Sequence, residues 1–413
     1  MLTKWQHKKL SEVAQNISRP FKFSNREKVI FINTGDVLEG KFLHHNYSNK
    51  ALLPGQAKKR IVIDDILFSE IRPGNKRFAF VDFNADDHVV STKFMVIRSE
   101  DSVLPKYLYL VLTSKTTLEY FQVIAESRSG TFPQITFDSV GHHSIPIPPK
   151  EEQQKIVATI ESLDIKLELN RRMNETLEAM AKSIFKSWFV DFDPVRAKAE
   201  GRQPIGMDSE TAALFPDSFE DSPLGKIPKG WRVGTIAELA IVSSGNRPDI
   251  RTSTPNDQIA TPLFGGGGLM GYVENPLYTV PIILTGRVGT LGMVFRITFP
   301  CWPSDNTLVI LPKDAESYEY LYFCTNSIGF ESLNRGSTQP LVTQSDLQKQ
   351  EMVVPSLYIL QRFHNVVAPL LRKIDLNNED SHTLSAIRDA LLPKLLAGEI
   401  RVKDAVKFAE SAI

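Results

Sequence analysis

The sequence predicts an α+β protein in which two mixed α/β modules alternate with two long helices, the second half restating the plan of the first. Three observations predict it. Residues 147 to 185 match 354 to 392 without a gap, both blocks carry an apolar heptad, and short β-branched and aromatic runs precede each block. The length of 413 residues suits two or three domains. A hydrophobic content of 42% and a charged content of 23% exclude disordered and collagen-like classes.

Within the repeat, Ile147-Pro148 meets Val354-Pro355, Lys166 to Asn170 meets Lys373 to Asn377, and Thr176-Leu177 meets Thr383-Leu384. Fainter echoes pair Ile66-Leu67-Phe68-Ser69 with Ile282-Ile283-Leu284-Thr285, and Tyr107-Leu108-Tyr109 with Tyr320-Leu321-Tyr322. Here the spacing drifts, so the modules share a plan but differ in their loops.

The repeated block reads as a helix with a coiled-coil seam. Steps of four and three give Ile156, Ile160, Leu163, Leu167, Asn170, Asn174, Leu177, Ala181, Ile184 and Trp188, eight of ten apolar. The second copy gives Phe363, Val367, Leu370, Ile374, Asn377, Ser381, Leu384, Arg388, Leu391 and Leu395, with its polar residues in the same central layer. Central polar residues fix register at some cost in stability. The other reading is two helices packed separately on their own modules. Pro148 and Pro149, followed by Glu151 and Glu152, suit a helix start. Pro369 and Pro393 are expected to bend or break the second helix, and Gly398 to end it.

The boundaries follow: a first module over 1–149, a helix over 150–190, an ordered Pro- and Gly-rich connector over 191–230, a second module over 231–355, a helix over 356–400 and a tail over 401–413. In the modules, 61–68, 78–83, 94–98, 281–285 and 308–311 read as strands.

Two cysteines, Cys301 and Cys324, exclude a disulfide framework, and both sit in strand-like runs as buried, inert thiols. With no apolar leader or 18-residue apolar run, the expectation is a cytoplasmic protein away from membranes. The net charge of zero conceals +6 over 1–150, −2 over 151–200, −4 over 201–350 and 0 over 351–413. A charge of +6 fits either a modest phosphate-binding face or an ordinary solvated surface.

Motifs for chemistry are weak. Gly40-Lys41 and Gly225-Lys226 lack the Ser or Thr of a phosphate loop. Asp164-Ile165-Lys166 fits part of a nuclease signature but lies on the helix. Phe264 to Gly268 fits the glycine loop of adenine methyltransferases, yet Asn275-Pro276-Leu277-Tyr278 departs from their second motif and follows too closely for an intervening βαβ unit. His44-His45 and His142-His143 lack partners at zinc spacing. No catalytic, cofactor or metal residue is assigned.

Recognition is what the residues permit. Candidate DNA contacts are the loop-like clusters Lys58-Lys59-Arg60, Arg72 with Asn75-Lys76-Arg77, and Arg128-Ser129 with Thr131. In the second module they are Asn246-Arg247, Arg251, Arg287 with Thr290, and Arg335, Ser337, Thr338 and Gln339. These side chains bind phosphates and read base edges. Arg72/Arg287 and Arg128/Arg335 look like counterparts. A helix over 151–188 spans ~57 Å at ~1.5 Å per residue, enough to hold modules one duplex turn of about 34 Å apart.

Ile145 to Pro149 with Glu152-Gln153, Ile165 to Ala181, Asp65 to Ser69 with Ile71-Arg72-Pro73, Leu214 to Phe219 leading to Ile227 to Trp231, and Leu391 to Leu396 with Gly398-Glu399-Ile400 carry a resemblance. Over essentially its full length the chain resembles the specificity subunit of a type I restriction-modification system. The resemblance implies two target recognition domains, each reading half of a bipartite, asymmetric site on double-stranded DNA, joined by two antiparallel helices. It implies two methyltransferase subunits and restriction subunits as partners. S-adenosylmethionine, ATP and magnesium would sit on those partners, with no cofactor on this chain, a non-catalytic subunit. The alternatives are a self-contained adenine methyltransferase and a coiled-coil DNA-binding regulator.

Overall fold

The computed structural model describes residues 5–24, 26–336 and 338–404. The chain divides into two compact units, Met1–Asn170 with Asn378–Ile413, and Arg171–Asn377. The division falls inside the long helices, Lys150–Phe189 and Leu357–Ala397, so each unit owns one module and half of each helix. Each module's apolar core continues onto its own stretch of helix pair, which is why the units cut the helices rather than end at them.

In the first unit, Gln6–Lys9 pairs antiparallel with Ser144–Ile147, the strand that leads into the first helix. A four-stranded sheet follows the order Ala14–Asn16, Phe94–Ser99, Ile66–Ser69, Phe78–Phe80. Phe68, Met95, Tyr107 and Phe121 pack with Ile156, Ile160 and Leu163 of the first helix and Leu384, Leu391 and Leu395 of the second. A second sheet, ordered Tyr47–Asn49, Lys28–Ile32, His88–Ser91, Ala57–Arg60, stands on a smaller core of Ile32, Ile61, Val90 and Phe94.

The second unit repeats the frame. Arg232–Thr235 pairs with Glu351–Val354, and the sheet Ala240–Ser244, Thr307–Pro312, Ile282–Gly286, Val294–Ile297 has the same order. The Tyr107 hydroxyl donates to the Pro146 carbonyl at 3.0 Å, and the Tyr320 hydroxyl donates likewise to Val353. Outside the frame the units differ, since here a three-stranded sheet of Gly268–Val273, Thr261–Gly265 and Trp302–Pro303 replaces the four-stranded one. The connector is ordered, with helices Asp193–Ala199 and Ser209–Ala213 and a hairpin of Phe219–Ser222 with Gly225–Pro228.

The helix pair runs antiparallel within each unit. In the first, Arg388 donates to Asp164 at 3.0 Å, and Asn170 donates to Asp380 at 2.8 Å and Ser381 at 3.2 Å. In the second, Asn377 donates to Asn174 at 2.8 Å, and Phe363 packs on Trp188 and Phe189.

Three expectations need correction. The second helix runs through Pro369 and Pro393 without a break. Both prolines are exposed while Val367, Leu371, Leu391 and Leu395 beside them are buried, so the missing bonds face solvent and packing of the other face holds the helix. Cys324 lies on a helix, Tyr318–Asn326, because a short aromatic run has no period that separates strand from helix. Sheet register aligns Ile66 with Ile283 and Ser69 with Gly286, one residue away from the sequence pairing. Both strands are buried on both faces, and with no alternation nothing in the sequence marks the register.

Candidate nucleic-acid interface

The Lys58-Lys59-Arg60 cluster is a strand rather than a loop, and strand alternation divides it. Lys58 and Arg60 are exposed, Arg60 pairing with Asp86 at 3.0 Å. Lys59 turns inward and donates to the Phe94 carbonyl at 2.6 Å. Burial lowers its pKa, and the charge of Glu70 opposes that shift. Arg77 donates to the carbonyls of Gly35 and Val37 at 3.0 and 2.9 Å, and Lys76 pairs with Glu39 at 2.7 Å. Arg72 and Asn75 are exposed around a short 3-10 turn, Pro73–Asn75. Lys58, Arg72 and Asn75 therefore face solvent, whereas Lys59 and Arg77 hold the module together.

In the second module Asn246, Arg247, Arg251, Thr290, Thr338 and Gln339 are exposed, and Ser337 lies outside the described residues. The Asn246 carbonyl accepts from the Trp302 indole at 2.7 Å. Arg287 is half-buried, with Nη1 donating to Ser244 Oγ at 3.3 Å, and that hydroxyl also accepts from Gln344 at 2.8 Å.

Hydrogen bonds of side chain and backbone show which residues correspond. Arg128 and Arg335 do: Arg128 lies 3.4 Å from Thr136, Arg335 pairs with Asp346, and Thr136 and Thr343 are the N-caps of matching short helices. Both arginines thus tie down the same turn. Ser129 accepts from the Phe132 amide at 3.0 Å beside the exposed Thr131.

Arg72 and Arg287 do not correspond. Ile135 donates to the Glu70 carbonyl as Val342 does to that of Arg287, at 2.8 and 2.9 Å. Arg72 and Gly289 donate to Pro133 and Pro340, both at 3.0 Å, and both have positive φ, 44° and 80°. The counterpart of Arg287 is Glu70, and that of Arg72 is Gly289. Arg72 and Arg287 are thus two residues out of backbone register with one another.

On the helix seam, Ile156, Ile160, Leu163, Asn170, Ala181, Trp188, Phe363, Val367, Asn377, Leu384, Leu391 and Leu395 are buried, while Leu167, Asn174, Leu177, Ile184, Leu370 and Ile374 are partly so. Sequence reasoning missed two fastenings. Gln153, buried at the helix start, accepts from the Leu104 amide at 2.8 Å and donates to the carbonyls of Pro148 and Ser102. Asp65 is fully buried and takes Arg19 at 2.9 Å, Arg98 at 2.8 Å and the Val62 amide at 2.8 Å. Both lie in stretches that carry the family resemblance, yet nothing beside them in sequence announces these partners.

The other motifs are structural. The glycine run closes the hairpin between Thr261–Gly265 and Gly268–Val273, whereas a nucleotide-binding glycine loop opens a helix. Asp164 and Lys166 engage Arg388 and Asp380 across the helix pair. His44 pairs with Asp36 at 3.4 Å, and His45 meets His88 at 2.9 Å. Among the described residues no three His, Cys, Asp or Glu are grouped to hold a metal. Burial pushes the Cys301 thiol to about 11 and that of Cys324 to about 12, so both stay protonated at neutral pH. No helix among the described residues is long and apolar enough to cross a membrane.

Comparison with known proteins bears on this arrangement. The family model of the type I restriction modification DNA specificity domain matches twice, over residues 3–179 and 228–386. The type I restriction enzyme HindI specificity subunit of Haemophilus influenzae is 38% identical over 97% of this chain and 100% of its own length. The MjaIX specificity subunit of Methanocaldococcus jannaschii is 29% identical, covering 75% of this chain and 72% of its own. The crystal structure of the type I restriction-modification system S subunit from M. genitalium shares the fold at a TM-score of 0.64 and 17% identity, over 95% of this chain and 96% of that one.

Proposed function

Because the chain belongs to the type I restriction-modification DNA specificity family, we propose that it is the subunit through which such a complex recognises DNA. Each module reads one block of a split duplex site. Methyltransferase and restriction subunits carry out adenine methylation and cleavage, and S-adenosylmethionine, ATP and magnesium belong to them. The complex works where the genome is, in the cytoplasm.

The observation that carries this reading is the pair of frames. Two sheets of identical order, each accompanied by an equivalent tyrosine hydrogen bond to the strand that leads into a long helix, belong to modules whose outer sheets differ in strand number and whose net charges differ, +5 over 1–149 and −3 over 231–355. Unlike surfaces on like frames suit two unlike half-sites, giving an asymmetric target rather than a palindrome. The second module, with a net charge of −3 over 231–355, leaves phosphate neutralisation largely to its partners.

The repeat also supports two copies of one partner. Leu169 and Leu376 occupy equivalent positions on the two helices and are 56% and 52% exposed. In the first unit Ile165 joins Leu169 one turn away on the same outer face. An apolar side chain presented at the same point of each repeat suits identical methyltransferase subunits, one per unit.

The test is adenine methylation mapping by single-molecule sequencing of host DNA, with this chain present and deleted and the neighbouring subunits intact. The expected result is loss of one split, asymmetric motif. Unchanged methylation in a host whose methyltransferase is active overturns the reading. Leu169→Glu and Leu376→Glu, assayed by the mass of the purified complex, should each remove one methyltransferase copy.

A further inference from the structure

We propose that Arg287 is the point at which the second module grips a phosphate of the DNA backbone. The inference rests on the functional reading above and adds the residue and the ligand chemistry.

Among the described residues, four buried side-chain polar atoms lack a hydrogen-bond partner, and three of them, Thr285 Oγ1, Arg287 Nε and Ser304 Oγ, belong to residues on neighbouring stretches of backbone. Thr285 and Arg287 are two residues apart at the end of one strand. Ser304 is joined to the same crossing, its carbonyl accepting from the Thr307 amide at 3.0 Å while Thr307 faces Gly286 in the sheet. Thr285 and Ser304 are 0% and 2% exposed, so water does not readily satisfy their hydroxyls.

Glycines let four stretches of backbone crowd around this point. A Cβ on Gly286 would lie 1.8 Å from the Thr290 carbonyl oxygen, one on Gly245 2.3 Å from that of Ser304, and one on Gly266 2.9 Å from the Gly286 Cα. Only glycine fits at such approaches. The glycine run therefore serves close packing behind Arg287.

The charge selects the ligand. Arg287 makes no ion pair among the described residues, and the hydrogen bond of its guanidinium goes to a neutral hydroxyl, Ser244, at 3.3 Å. Removing part of a guanidinium from water without a counter-charge is unfavourable, and a phosphate oxygen meeting Arg287 from its solvent side restores the charge balance, while the buried hydroxyls of Thr285 and Ser304 stay out of its reach. Exposed Thr290, Asn246 and Arg247 stand in the segments beside it. In the first module the corresponding residue is Glu70, so the contact belongs to the second module alone.

The experiment uses the complex of this chain with its methyltransferase subunits and a duplex bearing the split motif found by methylation mapping. Affinity is measured across a salt series for wild type, Arg287→Ala and Arg287→Lys. Arg287→Ala should weaken binding roughly ten- to a hundredfold, equally for duplexes altered at any base of the second block, and reduce the salt slope by about 1. Arg287→Lys should keep the slope and lose only part of the affinity, because the charge remains and the fork does not. Thermal stability of Arg287→Ala should hold, since the variant removes an unpaired charge. Loss confined to one base pair overturns the phosphate contact in favour of base readout. So does unchanged affinity in a complex whose wild type prefers its motif. A wild-type complex with no such preference overturns the functional reading instead.

Discussion

The two modules answer the same frame with different chemistry. Where the first has Asp65, fully buried and clasped by Arg19 and Arg98, register places Ile282 in the second, equally buried and apolar. Where the first has Glu70, the second has Arg287. The parts that agree face the helix pair, and the parts that differ face away from it. Attachment demands one solution and recognition demands two, so the comparison separates residues that hold the molecule together from residues that give each module its own target.

The equivalent seam positions Phe363 and Ile156 break this comparison most forcefully. Phe363 is fully buried among Phe185, Trp188, Phe189 and Phe323 in the second unit, and Ile156 lies in the core of the first. Phe363→Ala should cost about 4 kcal/mol and Ile156→Ala about 3 kcal/mol. Hydrogen exchange should show each loss of protection confined to its own unit. Equal loss in both units would mean that they do not unfold separately.

Asp65→Ala comes next, at about 3 kcal/mol, because it leaves two guanidinium groups and the Val62 amide without their shared acceptor. Exchange should rise in the first unit alone. A polar substitution of Ile282 would strand a polar group where no arginine waits, so the two positions are not interchangeable.

Legibility in the sequence followed the same division. The long helices were readable because their heptads persist over many turns, and the repeat because its blocks match without a gap. Strand register was not readable, because Ile66–Ser69 and Ile282–Gly286 are apolar on both faces and a one-residue slip leaves the pattern unchanged. That slip, compounded in the loop that follows, joined Arg72 to Arg287. Lys59 and Arg77 looked like contacts since composition does not reveal which cations a module spends on its own carbonyls. The fastening roles of Gln153 and Asp65 were not legible for the converse reason, as Leu104, Ser102, Arg19 and Arg98, which they hold, lie tens of residues away.

The two tyrosine fastenings sharpen the comparison at smaller scale. Tyr107→Phe and Tyr320→Phe each delete one hydroxyl that donates to the carbonyl of an equivalent strand. Each should cost about 1 kcal/mol. Calorimetry should show like effects in the two units, and a marked difference would show that the frames are alike in geometry but not in energy.

Acid should distinguish the units most gently. Burial lowers the pKa of His88, with the nearby Asp87 charge opposing and His45 adding to the shift, and burial lowers that of His143 as well. Both histidines belong to the first unit. Because their folded-state values lie below the ordinary value of about 6.5, the unfolded chain binds more protons. The stability they contribute is complete above about pH 6.5 and is lost as pH falls through the folded-state values. His88 meets His45 at 2.9 Å and Asp87 at 2.9 Å, so a proton added to this pair sets two rings against each other while still facing the carboxylate. Hydrogen exchange at about pH 7.5 and about pH 5.5, corrected for intrinsic rates, should show the first unit losing protection relative to the second. His88→Gln should flatten that dependence, and an unchanged difference between the units would assign it to other groups.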